Sequence, residues 1–265
     1  MTAASAFLLR DFRIAWSYRI SFFTQNIGLL FSIVTLRFVS DLFGSAIPEE
    51  LEQYGGDYFS FILLGAAINL LVFPLVNTFR NATRAAQVTG TLEALLATAM
   101  SPARTVLWSG LYPLMYVVGQ TLLLLAVGIA LGARYDPWAA LPVLGVLALT
   151  IAAFSGLGLM SAAFTIVFKQ NEPFITGSLI VSFMLAGVLY PTTVLPTWLE
   201  PVSQLLPLTH SLELLRGFTL GEGWSTGMAW HLGALGAFAL LFPVGVWAVS
   251  QGITIATRRG TLSHY

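Results

Sequence analysis

PWAALPVLGVLALTIAAFSGLGLMSAAFTIVF, residues 137–168, contains no ionisable side chain. A helix needs about 20 mostly apolar residues to cross a hydrocarbon core about 30 Å thick, so this stretch alone can span a bilayer. The rest of the chain has the same character. Its 265 residues are 57% hydrophobic and 9% charged, where a soluble domain carries roughly 25% charge. A water-facing exterior cannot be built from that supply, and lipid removes the need for one.

Reading outward between charges gives six spans: 20–43, 58–79, 105–131, 137–168, 173–195 and 227–257. The fourth and sixth exceed the length required, which predicts tilt or kinks, with Pro142 and Pro243 as the kink points. The expected fold is an all-α integral membrane protein, a single transmembrane domain over 1–265. Basic residues orient it. Arg10, Arg13, Arg19, Arg80, Arg84, Arg104, Lys169, Arg258 and Arg259, nine of the 12 Lys and Arg, fall on one side if both termini are cytoplasmic. The expected location is a plasma membrane of the bacterial inner-membrane type, crossed several times with both termini cytoplasmic. The apolar N-terminal residues are interrupted by Arg10, Asp11 and Arg13, unlike a cleaved signal peptide.

Three segments do more than span. Residues 1–19 read as an amphipathic interfacial helix, with Phe12 and Trp16 on the apolar face and Arg10 and Arg13 opposite. Residues 80–104 form the longest cytoplasmic stretch, with a short helix-prone run from Thr91 to Thr98 between Gly90 and Pro102. Residues 196–223, entered through Pro191, stay apolar although Pro196, Pro201 and Pro207 break any long helix. Irregular backbone at membrane depth must be covered by protein or water, so this segment reads as a re-entrant helical hairpin carrying Trp198. Glu213 and Arg216, one turn apart, are expected to pair within it. Arg37 lies inside the first span with Asp41 one turn on. That spacing suits a local ion pair, and a place on a translocation path is the alternative.

Taken together, these stretches resemble the membrane subunits of ATP-binding-cassette exporters, the ABC type-2 permease family. Gly90-Thr91-Leu92-Glu93-Ala94-Leu95-Leu96 is similar to the family's coupling segment after span two. Gly187 through Leu199 is similar to its signature after span five, and Leu206-Pro207-Leu208-Thr209-His210, with Glu213 and Arg216, to the continuation. The resemblance implies a transport subunit without catalytic residues, cofactor or metal of its own. ATP and Mg would be bound by a partner nucleotide-binding subunit docked on the coupling helix. It also implies a second copy of the permease, a homodimer in membrane lipid, exporting an amphipathic drug, antibiotic, lipid-linked compound or polysaccharide.

The residues agree with that division of labour. A Walker A loop needs Lys followed by Ser or Thr after a glycine-rich turn. Lys169, the sole lysine, stands between Phe168 and Gln170. A net charge of zero and the lack of a basic run give no footing for nucleic acid. An ion- or proton-coupled carrier, the competing reading, would place acids at mid-span, and these spans are nearly free of them. An intramembrane enzyme would need paired carboxylates or a Ser–His set at matching depth. His210, His231 and His264 do not have the spacing of a metal site.

Overall fold

The computed structural model describes residues 3–43, 57–88, 90, 101–168, 172–221 and 224–258. Among them there is no strand. The helices are α1 (Ala3–Ser17), α2 (Arg19–Phe43), α3 (Tyr58–Val88), α4 (Pro102–Ala130), α5 (Ala140–Phe168), α6 (Glu172–Leu185), α7 (Glu200–Ser203), α8 (Pro207–Thr219), α9 (Thr226–Ala239) and α10 (Leu241–Arg258). Five segments are long and apolar enough to cross a membrane: Arg19–Leu42, Tyr58–Val88, Ala103–Ala130, Pro137–Ile166 and Thr226–Arg258.

The protein is built around α3. Its most apolar stretch is 72% buried, against 11% for α2 and 17% for the α9–α10 segment. Helices α4 and α5 pack along it, α8 packs across its first half, and α10 lies against α5. Glycines set how closely these helices approach. A Cβ on Gly128 of α4 would lie 1.9 Å from Leu63 of α3. A Cβ on Gly156 of α5 would lie 2.4 Å from the Leu241 carbonyl carbon, and one on Gly245 2.7 Å from the Gly156 oxygen. Backbone meets backbone at that crossing, as small residues permit where lipid offers no hydrophobic drive between helices.

The structure moves two of the expected boundaries and separates the roles of the two prolines. Helix α3 continues past Phe79 to Val88 and buries Arg80, whose Nη2 donates to Asn77 Oδ1 at 2.6 Å. Gly90 (φ +67°) then closes the helix, its N–H bonded to the Gln87 oxygen at 3.0 Å. Pro142 is not a kink point. It falls in the first turn of α5, where its missing N–H has no intrahelical acceptor to lose. Pro243 does interrupt the sixth apolar segment, which is two helices meeting at Leu240. Its ring excludes the bond to the Ala239 carbonyl, four residues back, where α9 ends.

The largest change is in the fifth segment. Read as 173–195, it is helical only over Glu172–Leu185, 14 residues. That is about 21 Å of rise, short of a full crossing. Past Leu185 the chain turns through Gly187 (φ +76°) and a 3-10 turn at Thr192–Val194.

The α5–α10 crossing gives a direct test. Gly156→Ala places a methyl against backbone and should lower stability by about 1–3 kcal/mol. Gly28→Ala, in open space on α2, should be neutral. Thermal unfolding in detergent distinguishes the two, and equal melting temperatures would contradict the crossing.

Candidate functional site

Where α6 breaks, three successive carbonyls point into the bundle, and each receives a side-chain donor. Arg216 of α8 donates from Nη1 to the Gly187 oxygen at 2.7 Å and from Nη2 to the Val188 oxygen at 3.0 Å. Tyr58, the first residue of α3, donates its hydroxyl to the Leu189 oxygen at 3.3 Å. The guanidinium also reaches the Phe61 carbonyl at 3.4 Å and lies over the Phe61 ring, 3.5 Å from its centroid. Arg216 is 0% exposed.

Several terms stabilise a cation at that depth. Carbonyl oxygens replace its water, the aromatic face attracts it, and the nearby C-terminal end of α6 carries partial negative charge. Arginine suits the place because its planar fork can serve several acceptors while stacking on a ring. Gly65 of α3 makes the approach possible. A Cβ there would lie 2.1 Å from the Val188 oxygen and 3.2 Å from Arg216 Nη2.

The Glu213 carboxylate accepts from the Thr192 hydroxyl at 3.3 Å, which ties the 3-10 turn to α8. The prolines of the hairpin divide by role. Pro191 is buried at the start of the 3-10 turn, and Pro207 opens α8 in its first turn. Pro196 and Trp198 are exposed, as are Val194, Val202 and Leu205. Helix α8 itself is packed inside the bundle, with the Ser211 and Thr150 hydroxyls 2.9 Å apart across its contact with α5.

The same end of the bundle gathers the turn at 131–136. Asp57 caps α3 by accepting from the Phe59 N–H at 3.2 Å and from the Ser60 hydroxyl. Ser60 in turn accepts from the Arg134 N–H at 2.8 Å, and the Asp136 N–H bonds the Thr219 oxygen at 3.1 Å. Burial, and then the Asp57 charge, push the Tyr135 phenol well above its usual range. It stays protonated and donates to the Ser60 carbonyl.

At the other predicted sites, α1 lies against α4 through an edge contact of Phe12 with Tyr112, and Phe12 stacks on Trp16 at 6.1 Å. Arg10 pairs with Asp11 at 2.7 Å, and Arg13 is exposed. Arg37 and Asp41 form an ion pair at 3.0 Å, with the guanidinium 5.2 Å from the Phe59 ring centre. Thr91, Leu92, Glu93, Ala94, Leu95 and Leu96 lie outside the described residues. A cavity of about 730 Å³ separates α6 from α3 and α5. Its walls are mainly apolar, with Phe154, Met160 and Phe164 on one side, Phe174 on the other, and the Ser178 and Ser182 hydroxyls among them.

Sequence reading missed the carbonyls at 187–189, because a backbone acceptor has no residue signature. It also missed a contact between His210 and His231, 21 positions apart, whose Nδ1 atoms are 2.9 Å from each other.

Removing Arg216 should uncouple α8 from the break. Arg216→Met leaves carbonyls bare at roughly 1–3 kcal/mol each. It should lower the melting temperature in detergent and speed chymotrypsin cleavage at Tyr190 and Trp198. Arg216→Lys, which keeps the charge and loses the fork, should fall between. Unchanged melting and cleavage in Arg216→Met would show that the contacts hold nothing.

No curated protein matches the chain. The family model described as ABC-2 type transporter does, over residues 4–220. The matched region runs from α1 through the end of α8, and so takes in the interfacial helix, the α3 pillar and the Arg216 contacts. With that length of match, on an all-helical protein whose apolar helices can cross a bilayer, the chain belongs to the ABC-2 type transporter family as a membrane permease subunit.

Proposed function

We propose that this permease is the membrane half of an ATP-driven exporter that works as a pair of identical subunits. The observation that carries the reading is the family match over residues 4–220. The family implies partnership with an ABC ATPase. Export direction, the docking segment, the pairing and the substrate class are the proposal, as is a bacterial inner membrane with both termini cytoplasmic.

The geometry supports a specific means of coupling. Helix α3 is one continuous element of 31 residues, about 46 Å long. Its first turns hold Phe61 and Gly65 beside Arg216, and its far end closes at Gly90, one residue before the run Thr91 to Leu96. An ATPase that grips this run moves the cytoplasmic end of α3. Helix α3 is buried and continuous through Pro74, where one main-chain hydrogen bond is missing, and a displacement of its cytoplasmic end passes through its packing to the carbonyls of the α6 break. Helix α1, laid on α4 beside the same cytoplasmic edge, flanks the contact through Arg10 and Arg13.

Amphipathic cargo fits the chemistry of the α6 cavity. Its apolar walls accept hydrocarbon or aromatic rings, and its serine hydroxyls meet a few polar atoms without demanding a charge. On the outside of the bundle, α2 leaves Ile20, Phe31, Phe38 and Leu42 uncovered. In the proposed assembly this face meets the second copy and lipid.

Two measurements test the proposal. Vesicles holding the permease and its candidate ATPase should take up substrate only with ATP, and uptake that persists without the ATPase sinks the reading. Leu95→Arg should insert normally into the membrane yet fail to retain the ATPase on co-purification. Normal assembly of that variant refutes the docking segment alone.

A further inference from the structure

Helices α8 and α9 are joined by two imidazoles. His210, 1% exposed, and the half-buried His231 approach through their Nδ1 atoms at 2.9 Å, with ring centres 5.1 Å apart. The other nitrogen of His210, Nε2, is 2.9 Å from the Gln204 carbonyl oxygen, in the turn that leads into α8. Trp230 and Phe238 of α9 flank the His210 ring.

These contacts dictate where the protons sit. A carbonyl oxygen only accepts, so Nε2 of His210 carries a hydrogen. In the neutral ring its Nδ1 is then a bare acceptor, and the hydrogen in the 2.9 Å gap belongs to Nδ1 of His231. The neutral pair is a directed chain, from His231 Nδ1–H to His210 Nδ1 and from His210 Nε2–H to Gln204. His231 is thereby held as the Nδ1–H tautomer, with Nε2 open to accept.

One added proton leaves this chain intact. On Nε2 of His231 it makes that ring the cation, and the gap hydrogen stays where it was. The same charge shifts to His210 if the gap hydrogen crosses to the facing nitrogen. A second added proton has no such place. Both Nδ1 atoms then carry hydrogens pointed at each other across 2.9 Å, and two cations face each other at the α8–α9 contact.

One carboxylate acts on the pair. Glu213, one turn along α8, attracts a proton to both rings while burial opposes charge on either, and no other acidic residue acts on both among the described residues. Helix α5, packed on both α8 and α9, has no ionisable side chain, and His231 is the one titratable group of α9. The Arg216 guanidinium, two turns from His210 on α8, is occupied at the α6 break. At the start of α3, the cap Asp57 and the first residue Tyr58 are engaged with Ser60 and Leu189.

We propose that His210 and His231 form a proton-binding site that takes up one proton with the α8–α9 contact closed and parts the two helices on taking up a second. The site is built into the helix that carries Arg216, so its loading bears on the segment that ties down the α6 break. This inference does not depend on cargo or transport direction.

The chain's three histidines make the test direct. The full-length protein carrying His264→Gln, labelled with 15N-histidine in lipid nanodiscs, is titrated by NMR from alkaline to acid pH. At high pH one ring should show the Nε2–H tautomer and the other the less common Nδ1–H tautomer. The second proton should bind more than about tenfold more weakly than the first, as for two directly coupled sites. Two rings with the same tautomer, or two protons taken up with equal affinity, would overturn the site. In His231→Gln the side-chain amide can donate to His210 Nδ1 or, flipped, accept from it. His210, relieved of the facing cation, should then titrate at a higher pH than the weaker step of the pair, and a His210 that still titrates at the pH of that weaker step counts against the proposal.

Discussion

A helix that stops inside a membrane protein leaves carbonyls that lipid cannot satisfy, and this protein answers with a buried arginine. The constraint is severe because each bare backbone group in hydrocarbon costs several kcal/mol. Arg216 meets two of the three carbonyls at the α6 break and Tyr58 meets the third. An isolated cation there would be destabilising. With carbonyls, a ring and a helix end around it, the charge becomes the anchor for three elements at once. Helix α8 is drawn into the bundle because it carries that anchor, and α3 must present Gly65 because any side chain there would strike Val188.

Much else follows from the same anchor. Helix α6 meets the rest of the protein chiefly through α7 and α8, and the cavity beside it separates it from α3 and α5. It is held at its end more than along its length, and the cavity lies along one side of it. Helix α3 is the opposite case. It is buried along most of its length, runs unbroken through Pro74, and is in contact with the anchor at one end and the Gly90 turn at the other.

Five of the six expected spans were legible in the sequence as long apolar helices because a bilayer imposes its demand on composition. A stretch such as 137–168 has no reading in water. The N-terminal helix was legible because Phe12, Trp16, Arg10 and Arg13 fall on faces of a 3.6-residue period. Proline was only half legible. Pro142 and Pro243 look alike in sequence, yet one falls in a first turn, where its missing N–H has no intrahelical acceptor, and the other sits four residues after a carbonyl it blocks. The end of α6 at Leu185 was hidden for a different reason. Residues 186–195 are apolar enough to continue a helix, and what stabilises their irregular path comes from Arg216 and Tyr58, far away in sequence.

The histidines show the same limit most sharply. Read along the chain, His210 and His231 have no spacing that joins them. The fold instead turns the His210 ring toward α9, where His231 faces it. Their meeting depends on how α8 seats, and α8 seats where Arg216 finds the α6 carbonyls. A contact between two titratable rings is thus set by a backbone defect some distance away. Pairwise chemistry that arises this way leaves no spacing to recognise, because its cause is the satisfaction of someone else's hydrogen bonds.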